Sequence, residues 1–392
     1  MYGTAKMRKT RLEIFLYSSL VISLFAALFA GGAEKGEALL IKGAKIYTMG
    51  PQGILSGANL LIEGGKIKKI IEGQDWPQAQ VVDYSGKCII PGLVDAHTYI
   101  SGYYRLLENS QVVTSDLVAL AAFDPLSPEV DEALAAGITT ANLCPRNENL
   151  VGGITSILKL SKDPRNLFLL KKEGFLKISF AKDVERDDRA PTSLMGAKEM
   201  LDELMKNGGN QGDRKEIFQE RGILKLAKGE LQPLIAASNY EEINTALQWL
   251  SDWKKKGVIV GGEEVYRFGE ELHQKEVSIL LSPFLFGYPD RIFEKASSLL
   301  KLGVKIAFVS NLPEGEASGL RTSALLLYHQ GIPQEEALKT ITLYPAQILG
   351  VESVVGSLEE GKDADFVVFS GEPLDLSSKI LAVYSSGHLV SK

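Results

Sequence analysis

The sequence predicts an α/β protein built on a closed barrel of the TIM type. Between residues 234 and 330, four short apolar strand patterns are each followed by a helical pattern, which argues for a parallel sheet. Such strands with amphipathic helices outside suit a closed barrel, whose loops at the strand C-terminal ends hold any site. Before residue 90 and again after residue 356, the hydrophobic period falls to two and turn residues cluster, the pattern of a small β-unit. The chain has 392 residues, 45% hydrophobic and 23% charged, so it has the material for a full core.

Residues 1–33 stand apart. Lys6, Arg8, Lys9 and Arg11 precede an uncharged run from Ile14 to Ala30, closed by Gly31-Gly32-Ala33. That is the layout of a secretory signal, and the run also approaches the lower length of a membrane span. The expectation is export to the periplasm or the outside, with the segment cleaved or kept as an N-terminal membrane anchor.

The first folded segment is expected to comprise Ala38 to Tyr47, Ala58 to Ile71 and Val81 to Ile90, separated by Gly50-Pro51, Gly64-Gly65 and Gly86. The strand–helix units follow. Leu234 to Ala237 leads into Tyr240 to Lys256, and Val258 to Val260 into Glu263 to Lys275. Val277 to Leu281 leads into Arg291 to Leu302, and Val304 to Val309 into Leu320 to Gln330. Asn207 to Arg214 reads as an exposed linker, and Pro333 to Leu349 as a final helix before the C-terminal strands.

Chemistry is most legible at Pro91-Gly92-Leu93-Val94-Asp95-Ala96-His97-Thr98-Tyr99. On a strand Asp95, His97 and Tyr99 share one face. A His-x-His pair there would form two arms of a metal clamp, and His-x-Tyr supplies one. The chain contains four histidines. His273 falls on a charged helix face, His329 at a helix end where a cation suits the dipole, and His388 in a terminal hairpin. Cys88 and Cys144, both in apolar strand-like segments, are expected as buried free thiols. A net charge of −6 without a basic stripe makes nucleic acid an unexpected partner. No phosphate loop, nucleophile elbow or dinucleotide fingerprint is present.

Ile90 to His97, Gly356 to Phe369 and Gly371-Glu372-Pro373-Leu374-Asp375 together resemble the amidohydrolase superfamily, above all its imidazolonepropionase-like and prolidase-like members. Val151-Gly152-Gly153, Arg189-Ala190-Pro191-Thr192 and Leu343-Tyr344-Pro345-Ala346 add to the likeness, which covers about residues 36 to 392. The resemblance implies a (β/α)8 barrel over 91–349 beside a composite β-sandwich from 34–90 and 350–392. It also implies hydrolysis of amide or other C–N bonds by one or two divalent ions. Their ligands would be two His on the first strand, a mid-barrel Glu or carboxylated Lys, two later His and a final Asp.

Against that pattern this chain retains His97 and has Tyr99 in place of its partner. Lys182, with Asp183 beside it, falls at the mid-barrel position; Ala236 or Ser238, then Gly261, fall at the later His positions. Asn311 replaces the Asp, and Leu194 the Arg of the loop after Pro191. Zinc needs three or four converging donors, and an amide such as Asn311 cannot take a proton from bound water. No metal is therefore expected, with His97 a residual ligand position. Three readings stand open. One is a degenerate, metal-free relative that binds a small molecule at the barrel mouth or supports a homo-oligomer or an active paralogous subunit. Another is an active C–N hydrolase using zinc or another divalent ion through a non-standard ligand set. The third is a metal-independent enzyme drawing on His97, Tyr99 and Lys182 or Asp183.

Overall fold

The computed structural model describes residues 38–74, 76–161, 168–207, 221–262, 264–284 and 290–392. The leader expected over residues 1–33 and nearly all of the linker expected at 207–214 lie outside the described residues.

The two ends of the chain build one sheet. Its strands are β1 (Leu39–Tyr47), β2 (Ile54–Glu63), β3 (Lys66–Glu72), β4 (Gln80–Asp83) and β5 (Cys88–Pro91). The other three come from the far end: β16 (Phe366–Phe369), β17 (Ile380–Ser385) and β18 (His388–Ser391). Their order is β18-β17-β16-β5-β1-β2-β3, with β4 also paired to β1. The join is the antiparallel ladder of β5 and β16, which sets Cys88 opposite Phe369 and Ile90 opposite Val367. Strand alternation gives this sheet two apolar faces. Ile89, Phe366, Val368 and Tyr384 pack within a small core of the sheet itself, while Cys88, Ile90, Val367 and Phe369 face the main core.

Between these ends lie β6 (Leu93–Thr98), β7 (Ile138–Leu143), β8 (Val151–Ile154), β9 (Ser156–Lys159) and β10 (Leu169–Lys171). They are followed by β11 (Phe175–Ser179), β12 (Gln232–Ala237), β13 (Val258–Gly261), β14 (Ser278–Leu281) and β15 (Ile306–Phe308). Strands β11 to β15 form a parallel run, and β6 pairs parallel to β7. The expectation of an all-parallel ring is corrected at one place. Strand β8 runs antiparallel to β11 and β9 antiparallel to β7, so the stretch 151–159 links the two sheets against the prevailing direction. Among the described residues no continuous ladder joins β15 to β6. Single backbone bonds span the gap instead, Val94 N–H to Ile341 at 3.0 Å and Tyr99 N–H to Leu312 at 2.9 Å.

Three of the four strand–helix units stand where the hydrophobic period placed them; the helix expected over Glu263 to Lys275 is instead a 3-10 turn, Val265–Phe268, followed by the short helix Gly269–Gln274. The helix Tyr240–Asp252 starts at Asn239, whose side chain accepts from the Glu242 N–H in a reciprocal capping box. It buries Ile243, Ala246, Leu247 and Leu250, one stripe at helical spacing. The single helix expected over Pro333 to Leu349 is two, Gln334–Lys339 and Leu343–Leu349. Thr340 and Thr342 separate them, their hydroxyls donating back to the carbonyls of Ala337 and Leu338, a bond that competes with helix continuation.

A buried charge cluster staples the terminal sheet to the inner one. The Lys159 side chain on β9 is 1% exposed, and its Nζ lies 2.8 Å from both Asp363 and Asp365. It also reaches Ser386 at 2.5 Å. Removing one partner of such a set leaves uncompensated buried charge, which costs about 3–5 kcal/mol. Lys159→Ala is therefore expected to lower the unfolding free energy read from urea denaturation by that order, and a loss under about 1 kcal/mol would contradict the reading.

Candidate functional site

Strand β6 carries Asp95 and His97 on one face, as alternation requires, with Tyr99 following on the same side. His97 is 1% exposed. Its Nδ1 is 3.2 Å from Asn311 Oδ1, and its Nε2 is 2.7 Å from the Nζ of Lys177. Lysine can only donate and an amide oxygen can only accept, so the partners assign the neutral tautomer with its proton on Nδ1. Asn311 in turn donates through Nδ2 to Ser282 at 3.2 Å. Its φ of 54° lies in the left-handed region, which asparagine tolerates better than most residues. The result is one chain of hydrogen bonds, Lys177–His97–Asn311–Ser282.

Asp95 supports this chain without entering it. Its carboxylate accepts from the backbone N–H of His97 at 3.3 Å and of Ser310 at 3.1 Å, and from the Ser310 hydroxyl. Burial pushes its pKa up to about 6 despite those bonds. Burial holds the His97 imidazole well below its ordinary value, and the neighbouring Lys177 charge acts in the same direction. Burial lowers Lys177 from its usual 10.5 to about 8 and raises Tyr99.

The cover over these groups is aromatic. Tyr99 meets His97 edge-on at 5.1 Å, Tyr103 meets Tyr99 at 5.9 Å, and the Arg146 guanidinium lies 4.0 Å over the Tyr103 ring. Arg146 pairs with Glu148, and the Tyr103 hydroxyl donates to Glu314.

Of the residues singled out in the sequence, His97, Tyr99 and Asn311 come together. Lys182 and Asp183 do not. The Lys182 side chain is 79% exposed on a 3-10 turn and pairs with Glu185, and Asp183 is exposed beside it. The lysine against His97 is Lys177, five residues earlier. Its signal was available: it is the one charge in Phe175-Leu176-Lys177-Ile178-Ser179, a strand buried throughout. Register makes a second correction. Lys177 pairs with Leu234 and onward with Val258, and Ser179 with Ala236 and then Val260. The face carrying Lys177 therefore shows Ala236, Val260 and Leu280, whereas Gly261 points to the opposite side. His273, His329 and His388 are exposed and away from the site. Cys88 and Cys144 are free, buried thiols.

These residues do not fit a zinc-type centre. Ala236, Val260 and Leu280 carry no donor, the Nε2 of His97 already accepts from Lys177, and Asn311 offers a neutral amide. Among the described residues no three His, Cys, Asp or Glu side chains converge.

Comparison with known proteins gives the lineage. The amidohydrolase family profile matches residues 309–391. The amidohydrolase tasK of Hapsidospora irregularis is 22% identical over 84% of this chain, and the match spans 39% of that longer protein. An imidazolonepropionase of Acinetobacter baumannii is 38% identical over 101 residues, 24% of this chain and 25% of the enzyme. The imidazolonepropionase of Geobacillus kaustophilus is 21% identical over 82% of this chain and 86% of its own. The crystal structure of an amidohydrolase from Thermotoga maritima superposes with a TM-score of 0.80 at 28% identity, covering 90% of this chain and all of the other. A prolidase bound to N-methylphosphonate-L-proline superposes at 0.55 with 17% identity, covering 91% of this chain and all of the other, a likeness of fold. The chain belongs to the amidohydrolase superfamily. Its first curated relatives are matched over well under two thirds of their own length.

The Lys177 environment makes a pH-dependent prediction. The unfolded chain keeps the ammonium proton to about 10.5, while the folded chain releases it near 8. Folding stability of the parent therefore rises with pH through that window, by up to about 3 kcal/mol, and Lys177→Met lacks this gain. Urea midpoints of the two proteins measured from pH 7.5 to 10.5 should diverge in the parent's favour; parallel curves would refute the burial of a titrating amine.

Proposed function

We propose that this chain is a metal-independent member of the superfamily that acts by binding a small molecule, or by supporting an active partner subunit. On this reading residues 91–349 form a closed (β/α)8 barrel, 34–90 and 350–392 form a composite β-sandwich beside it, and residues 1–33 direct export or anchor the protein. The observation that carries the proposal is Lys177. Its Nζ sits 2.7 Å from His97 Nε2 and takes up that nitrogen's lone pair, and as a free, uncarboxylated amine it repels a second cation there.

The inner wall is also closely packed around these groups. His97, Lys177 and Ala236 are buried, and the Tyr99–Tyr103–Arg146 stack covers them. A water molecule activated for hydrolysis needs a general base at hydrogen-bond reach. In this site the His97 Nε2 lone pair is taken up by Lys177, Asn311 offers an amide and the Asp95 carboxylate is engaged by Ser310, so on this reading none of them stands free as that base. The names of the relatives favour the other reading, a metal-dependent hydrolase of a cyclic amide, and the donor set disfavours it.

Metal analysis separates the two. After mild dialysis the purified protein is expected to hold well under one equivalent of zinc per chain, with an active relative treated in parallel as the control. One to two equivalents would overturn the proposal. Tyr99→His with Asn311→Asp is expected to restore neither metal nor turnover, since Lys177, Ala236 and Val260 still stand in the way. Zinc uptake and hydrolysis by that double variant would place the ligands elsewhere.

A further inference from the structure

The register that turns Gly261 away from His97 also opens a space behind the sheet. A cavity of about 250 Å³ lies against the outer face of β13 and β14, at their C-terminal ends, under the helix Asp290–Lys301. Gly261 and Leu281 are paired neighbours on this outer face. A Cβ built on Gly261 would come within 3.2 Å of Val265, so glycine here keeps the space open. Val265, Leu281, Phe284 and Leu299 make the body of the cavity apolar.

Two polar features border it. Lys295 Nζ stands 3.8 Å over the Tyr266 ring at the rim, and Lys295 makes no ion pair among the described residues. Ser282 also lines the cavity and accepts from Asn311. That bond uses a lone pair of its hydroxyl and leaves the O–H free to donate. An apolar body edged by a cation that meets a tyrosine but no carboxylate among the described residues is complementary to an amphipathic anion. Size narrows the class further. A dry cavity of roughly 150 Å³ takes benzene, so this one has room for an aromatic ring and a short chain ending in a carboxylate.

We infer that this cavity binds a small aryl-alkyl carboxylate, its ring against Leu281 and Phe284 and its carboxylate at Lys295. The site is distinct from the inner face of the strands, so it stands whether or not metal is found there. It is joined to that face through Ser282 and Asn311.

The probe is 3-phenylpropionate, titrated into the full chain by calorimetry and followed by ligand-observed NMR, with 3-phenylpropanol as its uncharged counterpart. The acid is expected to bind saturably, one per chain, and at least tenfold more tightly than the alcohol. Lys295→Met should remove that preference and leave alcohol binding unchanged. Ala296, buried in the cavity wall, provides the filling variants. Ala296→Leu and Ala296→Phe should abolish binding of both probes, and the milder Leu variant should keep the parent's unfolding midpoint or exceed it. Failure of the parent to bind either compound would overturn the inference. So would undiminished binding by a folded Ala296→Leu chain, or an acid preference that survives Lys295→Met.

Discussion

Asp95 holds the first inner strand to the turn that follows the last. Among the described residues no continuous ladder bridges β15 and β6, and the contact draws on this buried carboxylate, a few single backbone bonds and the side-chain bonds of His97 and Thr98. Its oxygens collect the N–H groups of His97 and Ser310 together with the Ser310 hydroxyl. Each bond to an ionised acceptor in a dry interior is stronger than a neutral one. Ser310 is pinned by it, and the next residue, Asn311, turns through the left-handed region. In that turn the Asn311 amide meets His97.

The electrostatic consequence is a site with a single fixed polarity. In a metal centre a divalent cation would draw carboxylates and imidazoles inward, and those ligands would neutralise it. Here the cation is covalently part of the chain, on β11, and its only close polar partner among the described residues is an uncharged imidazole. Desolvation dominates such an arrangement, which is why the amine and the imidazole are both displaced toward their neutral forms. The apolar row of Ala236, Val260 and Leu280 offers that charge no compensating partner. Packing thus takes over the organising role that coordination would have had.

Much of the fold was legible because alternation is a local property. The strands at 234–237 and 278–281 were readable as short apolar runs, the one at 93–98 from the shared face of its polar residues, and the helix after Asn239 from its helical pattern. Tertiary facts were not. Lys177 lies in the middle of β11 and Lys182 on the turn after it, and pairing with Leu234 fixes the face that Lys177 presents. Gly261 looked like a vacated ligand position until register assigned that face to Val260. The reversed direction of β8 and β9 has no sequence mark beyond the glycines at 152 and 153. The break at Thr340–Thr342 depends on hydroxyls bonding backward, a competition that propensity alone does not decide.

Uniting the two ends of the chain in one sheet also shapes how the protein must be made. Strand β5 acquires its neighbour β16 only after the whole intervening body has been synthesised. Until then its backbone amides and carbonyls form a bare edge, open to pairing with another polypeptide. Contacts this remote in sequence are slow to close. A nascent chain stalled before Phe366 would present that edge indefinitely, which makes the last thirty or so residues the natural checkpoint between productive folding and aggregation.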